Sequence, residues 1–249
     1  MTQPRRVIFD IGLHSGNDTA FYLAKGFDVV AVEANPVFVE RCRERFKAEI
    51  EQGRLEIVDA AIAPKAGTID FFVNLDEDQW SSIDEKAGSR MGTRAEKITV
   101  RAIRFEELAE GREDVYYLKC DIERADIHVL RGLGAFKRLP RFVSVESHTP
   151  EYLGPLVTSG YDRFKLINQG THRWTKLPSP ALEGEYAKAD FAGETSGPFG
   201  EETPGPWLSF EDVMQARTMA MKLKAIYGHL LPGYFDFHAK IASHLDAWS

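Results

Sequence analysis

The sequence predicts an α/β fold, a doubly wound and mostly parallel sheet with an irregular arm and a helix towards its C-terminal end. Three observations carry this. Short apolar runs ending in an acid alternate with helical stretches along residues 5–176. The stretches between them are long enough for the crossovers that parallel strands need. Proline and glycine then crowd into residues 177–206 before helical spacing resumes. With 249 residues, 43% of them hydrophobic, the chain can bury one large core without disulfides or metal clusters.

The first unit is "VIFDIGLHSGNDTAFYLAKGF", residues 7–27. Val7 to Phe9 read as a buried strand closed by Asp10, Gly12 starts a turn, and Asn17 or Asp18 caps a helix that stops at Gly26. "DVVAVEANP" is a second strand ending in Glu33, with Asn35 as cap and Pro36 at the first helical position. Phe38, Cys42, Phe46 and Ile50 then fall on one face of a helix closed by Gly53. "LEIVDAA" is the third strand, and Gly67 leads into a hairpin strand, "TIDFFVN". Residues 76–97 lack any sustained period and read as a long loop over the sheet edge, of the kind that is often functional. "ITVRAIRF", "VYYLKCD", "RFVSVES" and "YDRFKLIN" follow as strands, with "IERADIHVLRGL" as a helix. From Ser209 a helix carries three of the five methionines. The whole reads as one Rossmann-like domain: a core over 1–176, a Pro/Gly-rich lid or arm over 177–206, and a helical extension packed on the core over 207–249.

A net charge of −7 argues against sequence-independent binding of nucleic acid, because neutralising phosphates requires a basic face. "MTQPRR" runs straight into a strand, and nothing later resembles a membrane span, so the expected location is the cytoplasm. Cys42 and Cys120 lack C-x-x-C spacing and read as two buried thiols. Composition leaves self-association into a homo-oligomer open.

The first turn selects among cofactors. A strand–turn–helix unit leaves backbone N–H groups unpaired at the helix start, in a crevice where polar or anionic ligands bind. A dinucleotide needs G-x-G-x-x-G, whose second glycine admits the pyrophosphate. Here His14 stands in that place and would crowd it. S-adenosylmethionine carries no phosphate and asks for fewer glycines. Glu33 can accept hydrogen bonds from both ribose hydroxyls, a role that sites for NAD share.

These stretches resemble the FkbM-like S-adenosylmethionine-dependent methyltransferases. The likeness lies in "FDIGLHSGNDT" for the D-x-G-x-x-x-G turn, "AVEANP" for the ribose-binding strand end, and "DAAIAPKAGTIDFFVN". It continues in "YLKCDIERADIHVLRGL", similar to K-x-D-x-E-G-x-E-x-x-V-L-x-G, and in "VSVESH". Arg124 stands where the family usually has glycine and Asp126 where it has glutamate. The resemblance implies a fold of the class I methyltransferase type. It implies that Asp10, Gly12 and His14 shape the turn around the methionine end, that Gly16 admits the chain into the helix, and that Glu33 holds the ribose. Asp59 or the backbone at Ala60 would face adenine.

Methyl transfer from a sulfonium is an in-line displacement, so much of its acceleration comes from positioning. An aliphatic hydroxyl has a pKa near that of water, about 15.7, so its proton must be taken or its oxygen polarised. Asp121, Glu146 and His148 end or follow neighbouring strands and are the expected catalytic residues. We expect metal-independent catalysis, with His148 or Asp121 taking the proton and Glu146 orienting the hydroxyl. Trp80, Ser81 and Ser82 lie in the long loop, where an aromatic suits stacking on a sugar or ring. The expected activity is O-methylation of a small molecule or glycan, such as a sugar, a glycolipid or a polyketide-type metabolite. The alternatives are an NAD-dependent oxidoreductase or epimerase, disfavoured by His14 and by the absence of a Tyr-x-x-x-Lys pair, and a non-catalytic S-adenosylmethionine-binding protein.

Overall fold

The computed structural model describes residues 6–191, 195–228 and 233–242. Its main sheet takes strands β1 (Val7–Ile11), β2 (Asp28–Glu33), β3 (Leu55–Asp59), β7 (Val115–Cys120), β8 (Phe142–Glu146), β9 (Arg163–Asn168) and β10 (Phe235–Lys240). Their order is β3-β2-β1-β7-β8-β10-β9. All pairings are parallel except those of β10, which runs antiparallel to both neighbours. The carboxyl ends of five parallel strands therefore share one rim, where Asp10, Glu33, Asp59, Cys120 and Glu146 lie. Asp236 opens β10 on the same rim, directly opposite Glu146.

Alternation along the central strands divides the core in two. Phe9, Leu118 and Val145 face one side, with α5 (Phe105–Ala109), α6 (Asp126–Arg131), α7 (Leu153–Ser159) and the first turn of α8 (Phe210–Tyr227). Ile8, Ala31 and Tyr117 face the other, with α1 (Asn17–Ala24) and Cys42 of α2 (Pro36–Arg45). A short helix, α3 (Lys47–Glu51), follows α2. A second sheet, ordered β4-β6-β5, consists of β4 (Ala61–Ile62), β5 (Gly67–Asn74) and β6 (Ala95–Ile103), with β5 and β6 antiparallel. Residues 76–97 carry a short helix, α4 (Glu85–Gly88), and run into β6. No helix among the described residues is long and apolar enough to cross a membrane.

The alternating strands and helices match the expected architecture, with four local corrections. Gly16, in the left-handed conformation, precedes α1, while the Asp18 carboxylate accepts a bond from Ser196 instead of capping. The helix expected from Ile122 starts at Asp126, because Glu123 and Arg124 take positive φ (53° and 74°). The helix expected to run from Pro36 to Gly53 breaks at Phe46. Finally, the C-terminal extension is not helical throughout: β10 inserts between β8 and β9, so the "YDRFKLIN" strand is an antiparallel edge partner. Strand direction depends on a long-range partner, which local pattern does not encode.

The arm is fastened to the sheet by buried groups. Phe199 is 0% exposed and stacks on Tyr117 with centroids 4.6 Å apart. The Lys25 ammonium meets the Glu202 carboxylate at 2.9 Å, both side chains 0% exposed. The Tyr116 hydroxyl donates to Glu183 at 2.5 Å, and the Ser196 N–H donates to Asp18 at 2.9 Å.

Candidate active site

The rim opens into a cleft of about 1180 Å³, its mouth included, running from Glu33 to Glu146. At one end lies the turn after β1. Gly12 has φ +95°, and a Cβ there would sit 2.0 Å from the Asp121 carbonyl oxygen, so only glycine fits. His14 adopts φ 49°, the left-handed conformation that a second glycine would take. Its backbone N–H donates to Glu33 Oε2 at 2.8 Å, and Asn35 N–H donates to Oε1 at 2.7 Å. Burial raises the Glu33 carboxyl above its ordinary range, while those two bonds pull it back. The His14 ring packs on Phe38 and its Nε2 lies 3.1 Å from Asp78 Oδ1, joining the turn to the long loop.

Asp10 lies beneath the cleft. It is fully buried, accepts from the Thr19 hydroxyl at 2.6 Å, and pairs with Lys119 Nζ at 3.1 Å. The same ammonium donates to the Gly12 carbonyl at 2.6 Å and sits 3.8 Å from Asp18. Burial alone would lower the Lys119 pKa, but Asp10 and Asp18 push it above its ordinary value, so the lysine stays charged. Burial raises Asp18 to about 6, against the pull of Lys119.

Several expected residues stand outside the cleft wall. Gly16 backs onto Phe46, where a Cβ would come within 2.5 Å of the ring. Asp59 is half exposed, 3.8 Å from Arg43, whereas Ala60 lines the cleft. Trp80 and Ser81 line it too, but Ser82 is buried and donates to the Glu123 carbonyl at 2.8 Å. A strand-end residue whose neighbour faces the ligand turns its own side chain away, which explains the split between Asp59 and Ala60.

At the other end, Asp121, Glu123 and Glu146 line the wall, with His148 close behind. His148 Nε2 is 3.3 Å from Glu146 Oε2 and 3.7 Å from Glu123 Oε2. Arg90 grips Glu123 with two hydrogen bonds of 2.7 and 2.9 Å and lies over the Trp80 ring at 4.2 Å. Burial, then the charges of Asp121, Glu123 and Asp236, raises Glu146 to about 10. Burial raises Glu123 to about 7 despite Arg90 and lowers the His148 imidazole. Asp126 holds the strained loop from beneath, accepting from Ile122 N–H at 3.1 Å and Arg124 N–H at 2.9 Å.

Sequence reasoning did not give site roles to Lys119, Glu123, Gln169, Tyr234 or Asp236. Lys119 had a signal, a lone cation inside an otherwise apolar strand. Asp236 had a weaker one, an acid in "FDFHAK", beyond the stretch where strands were expected.

Three solved structures are similar to this chain at low identity. The FkbM methyltransferase of Methylobacillus flagellatus KT is 13% identical, with a TM-score of 0.45 over 66% of this chain and 40% of that one. The chain thus spans less than half the length of that relative. A SAM-dependent O-methyltransferase of Thermotoga maritima is 11% identical, with a TM-score of 0.39 over 95% of this chain and 60% of that one. A SAM-dependent methyltransferase of Geobacter sulfurreducens, solved with S-adenosyl-L-homocysteine, is 12% identical, with a TM-score of 0.36 over 96% and 86% of the two chains. No curated protein matches the chain significantly. The model of the methyltransferase FkbM domain matches residues 10–173, well over half of the sequence, and it includes the turn, Glu33, Lys119, Asp121, Glu123, Glu146 and His148. The chain belongs to the FkbM methyltransferase domain family.

Proposed function

We propose that this protein transfers a methyl group from S-adenosylmethionine to a hydroxyl oxygen of a small molecule in the cytoplasm, on a sugar, a glycolipid or a polyketide-type metabolite. The observation that carries this reading is one cleft lined by the buried acid Glu33 at one end and by Asp121 and Glu146, with His148 close behind, at the other. The Glu33 carboxylate keeps lone pairs for ribose hydroxyls after accepting from His14 and Asn35. The acidic rim favours the sulfonium charge.

In the reaction the acceptor oxygen attacks the methyl carbon along the carbon–sulfur axis. The carbon–sulfur bond breaks, the sulfonium becomes a neutral thioether, and the hydroxyl proton leaves to Asp121 or His148. Glu146 orients the hydroxyl. Trp80, held by Arg90, offers a ring face for a sugar or a planar acceptor.

The test is a thermal melt with S-adenosylhomocysteine or NAD, followed by incubation of labelled S-adenosylmethionine with fractionated cell extract. Stabilisation by S-adenosylhomocysteine and label in a polar small-molecule or glycan fraction are expected. Stabilisation by NAD alone would sink the reading, and label confined to protein would overturn the acceptor class.

A further inference from the structure

We infer that Glu123, Glu146 and His148 form a binding site for a divalent first-row transition-metal ion at the acceptor end of the cleft. Their ligand atoms all lie within 4.8 Å of one another. An ion bound through bonds of about 2.0–2.2 Å holds tetrahedral neighbours about 3.3–3.6 Å apart. His148 Nε2 stands 3.3 Å from Glu146 Oε2 and 3.7 Å from Glu123 Oε2, so the three groups close on an ion with little movement.

The second observation is the state of Glu146 and His148. The Glu146 side chain is only 10% exposed, it faces the cleft, and among the described residues no group donates a hydrogen bond to its carboxylate. His148 Nε2 is sealed from solvent without a hydrogen-bond partner. A carboxylate and an imidazole nitrogen buried in this way are costly unless something binds them. Carboxylates crowd the same place: Asp121, Glu123, Asp126 and Asp236 all bear on Glu146. Three cations nearby are engaged with other partners. Arg90 forks onto Glu123, Lys119 serves Asp10 and Asp18, and Arg217 donates to the carbonyls of Ser147 and His148. Arg124 also bears on His148, but no bond joins its guanidinium to Glu146. The Arg90 fork occupies two of the roughly four lone-pair positions of Glu123 and leaves others for an ion.

Donor chemistry narrows the ion. Magnesium and calcium want oxygen ligands throughout, whereas one imidazole with two carboxylates suits zinc, manganese or iron. The inference rests on the methyltransferase reading for its consequence: an ion with an open position towards the cleft would polarise the acceptor hydroxyl. His148 would then be a ligand, and the proton would pass to Asp121. This departs from the metal-independent route expected from the sequence.

The test titrates chelator-stripped protein with Zn²⁺ and Mn²⁺ separately by calorimetry, without cofactor or acceptor. One ion per chain is expected. Affinity should fall at least tenfold in E146Q and in H148A and stay unchanged in H128A, with circular dichroism checking the fold. No stoichiometric uptake, or uptake undiminished in folded E146Q or H148A, would overturn the site. Should both variants fail to fold, Co²⁺ bound to the wild-type chain decides. Intense visible bands of a low-coordinate ion support the site, and the weak bands of hydrated Co²⁺ overturn it. Metal uptake by a chain that does not bind S-adenosylhomocysteine would leave the site standing and reject the methyltransferase reading.

Discussion

The backbone N–H of His14 donates to Glu33 Oε2 at 2.8 Å, so the acid that ends one strand also holds the turn that ends its neighbour. Glu33→Ala removes this tether together with the proposed acceptor for the ribose hydroxyls. Hydrogen bonds to a charged acceptor contribute about 1.5–3 kcal/mol each, so S-adenosylhomocysteine should bind at least tenfold more weakly. Glu33→Gln, which keeps one oxygen, should lose less. Calorimetric titration of both variants is the check, and unchanged affinity in Glu33→Ala would end the ribose assignment.

Lys119→Met should be strongly destabilising. It would leave Asp10 and Asp18 buried beside each other without their cation, a loss of about 3–5 kcal/mol. Urea denaturation measures it, and a loss under 1 kcal/mol would mean that the carboxylates find protons at little cost.

Arg124 occupies a left-handed position, φ 74°, a conformation that favours glycine. Non-glycine residues there carry about 1–2 kcal/mol of strain, partly offset by the greater freedom of glycine in the unfolded chain. Arg124→Gly should therefore stabilise by about 0.5–1 kcal/mol, seen as a higher urea midpoint at unchanged slope. A lower midpoint would show that the Arg124 side chain contributes more than its backbone strains.

The prolines and glycines of the arm suggest a lid, but its anchors argue for a built-in wall. Phe199→Ala should cost about 3–5 kcal/mol. Deleting residues 195–205 should abolish folding and not turnover alone, because it removes Phe199 and Glu202 together. A folded deletion variant that binds S-adenosylhomocysteine but turns over slowly would restore the lid.

Burial lowers His172 to about 4, and burial with the charges of His172 and Lys165 lowers His238 to about 3. The unfolded chain takes these protons first, near pH 6.5, so their contribution is whole above that pH and declines as pH falls towards 4. Asp18, raised to about 6, works in the opposite sense and loses its contribution as pH rises. The difference in stability between wild type and His238→Gln isolates the histidine. It should shrink by about 1 kcal/mol or more between pH 7 and pH 5, and a flat difference would contradict a neutral, buried His238.

The parallel half of the sheet was legible because each strand is a short apolar run closed by an acid, with helical spacing after every one but the third. The turn was legible because a glycine between strand and helix, and an acid closing the next strand, show in the local pattern, although their partners Asp121 and His14 do not. The pairing of Lys119 was hidden because its partners, Asp10 and Asp18, lie over a hundred positions away and periodicity reads only neighbours. Glu123 was hidden because a helix was expected to begin beside it, whereas a strained turn points it at Arg90 and His148. The distinction between Asp59 and Ala60, or between Ser81 and Ser82, depends on which way one residue turns.

Because β10 lies between β8 and β9, the sheet is completed by a segment near the far end of the chain. On a ribosome, β9 emerges some seventy residues before its partner and waits with its edge groups facing water. The wall that carries Asp236 opposite Glu146 therefore closes only after β10 has emerged. A nascent chain halted before that point would hold the turn and Glu33 but only an unfinished wall at the Glu146 end of the cleft.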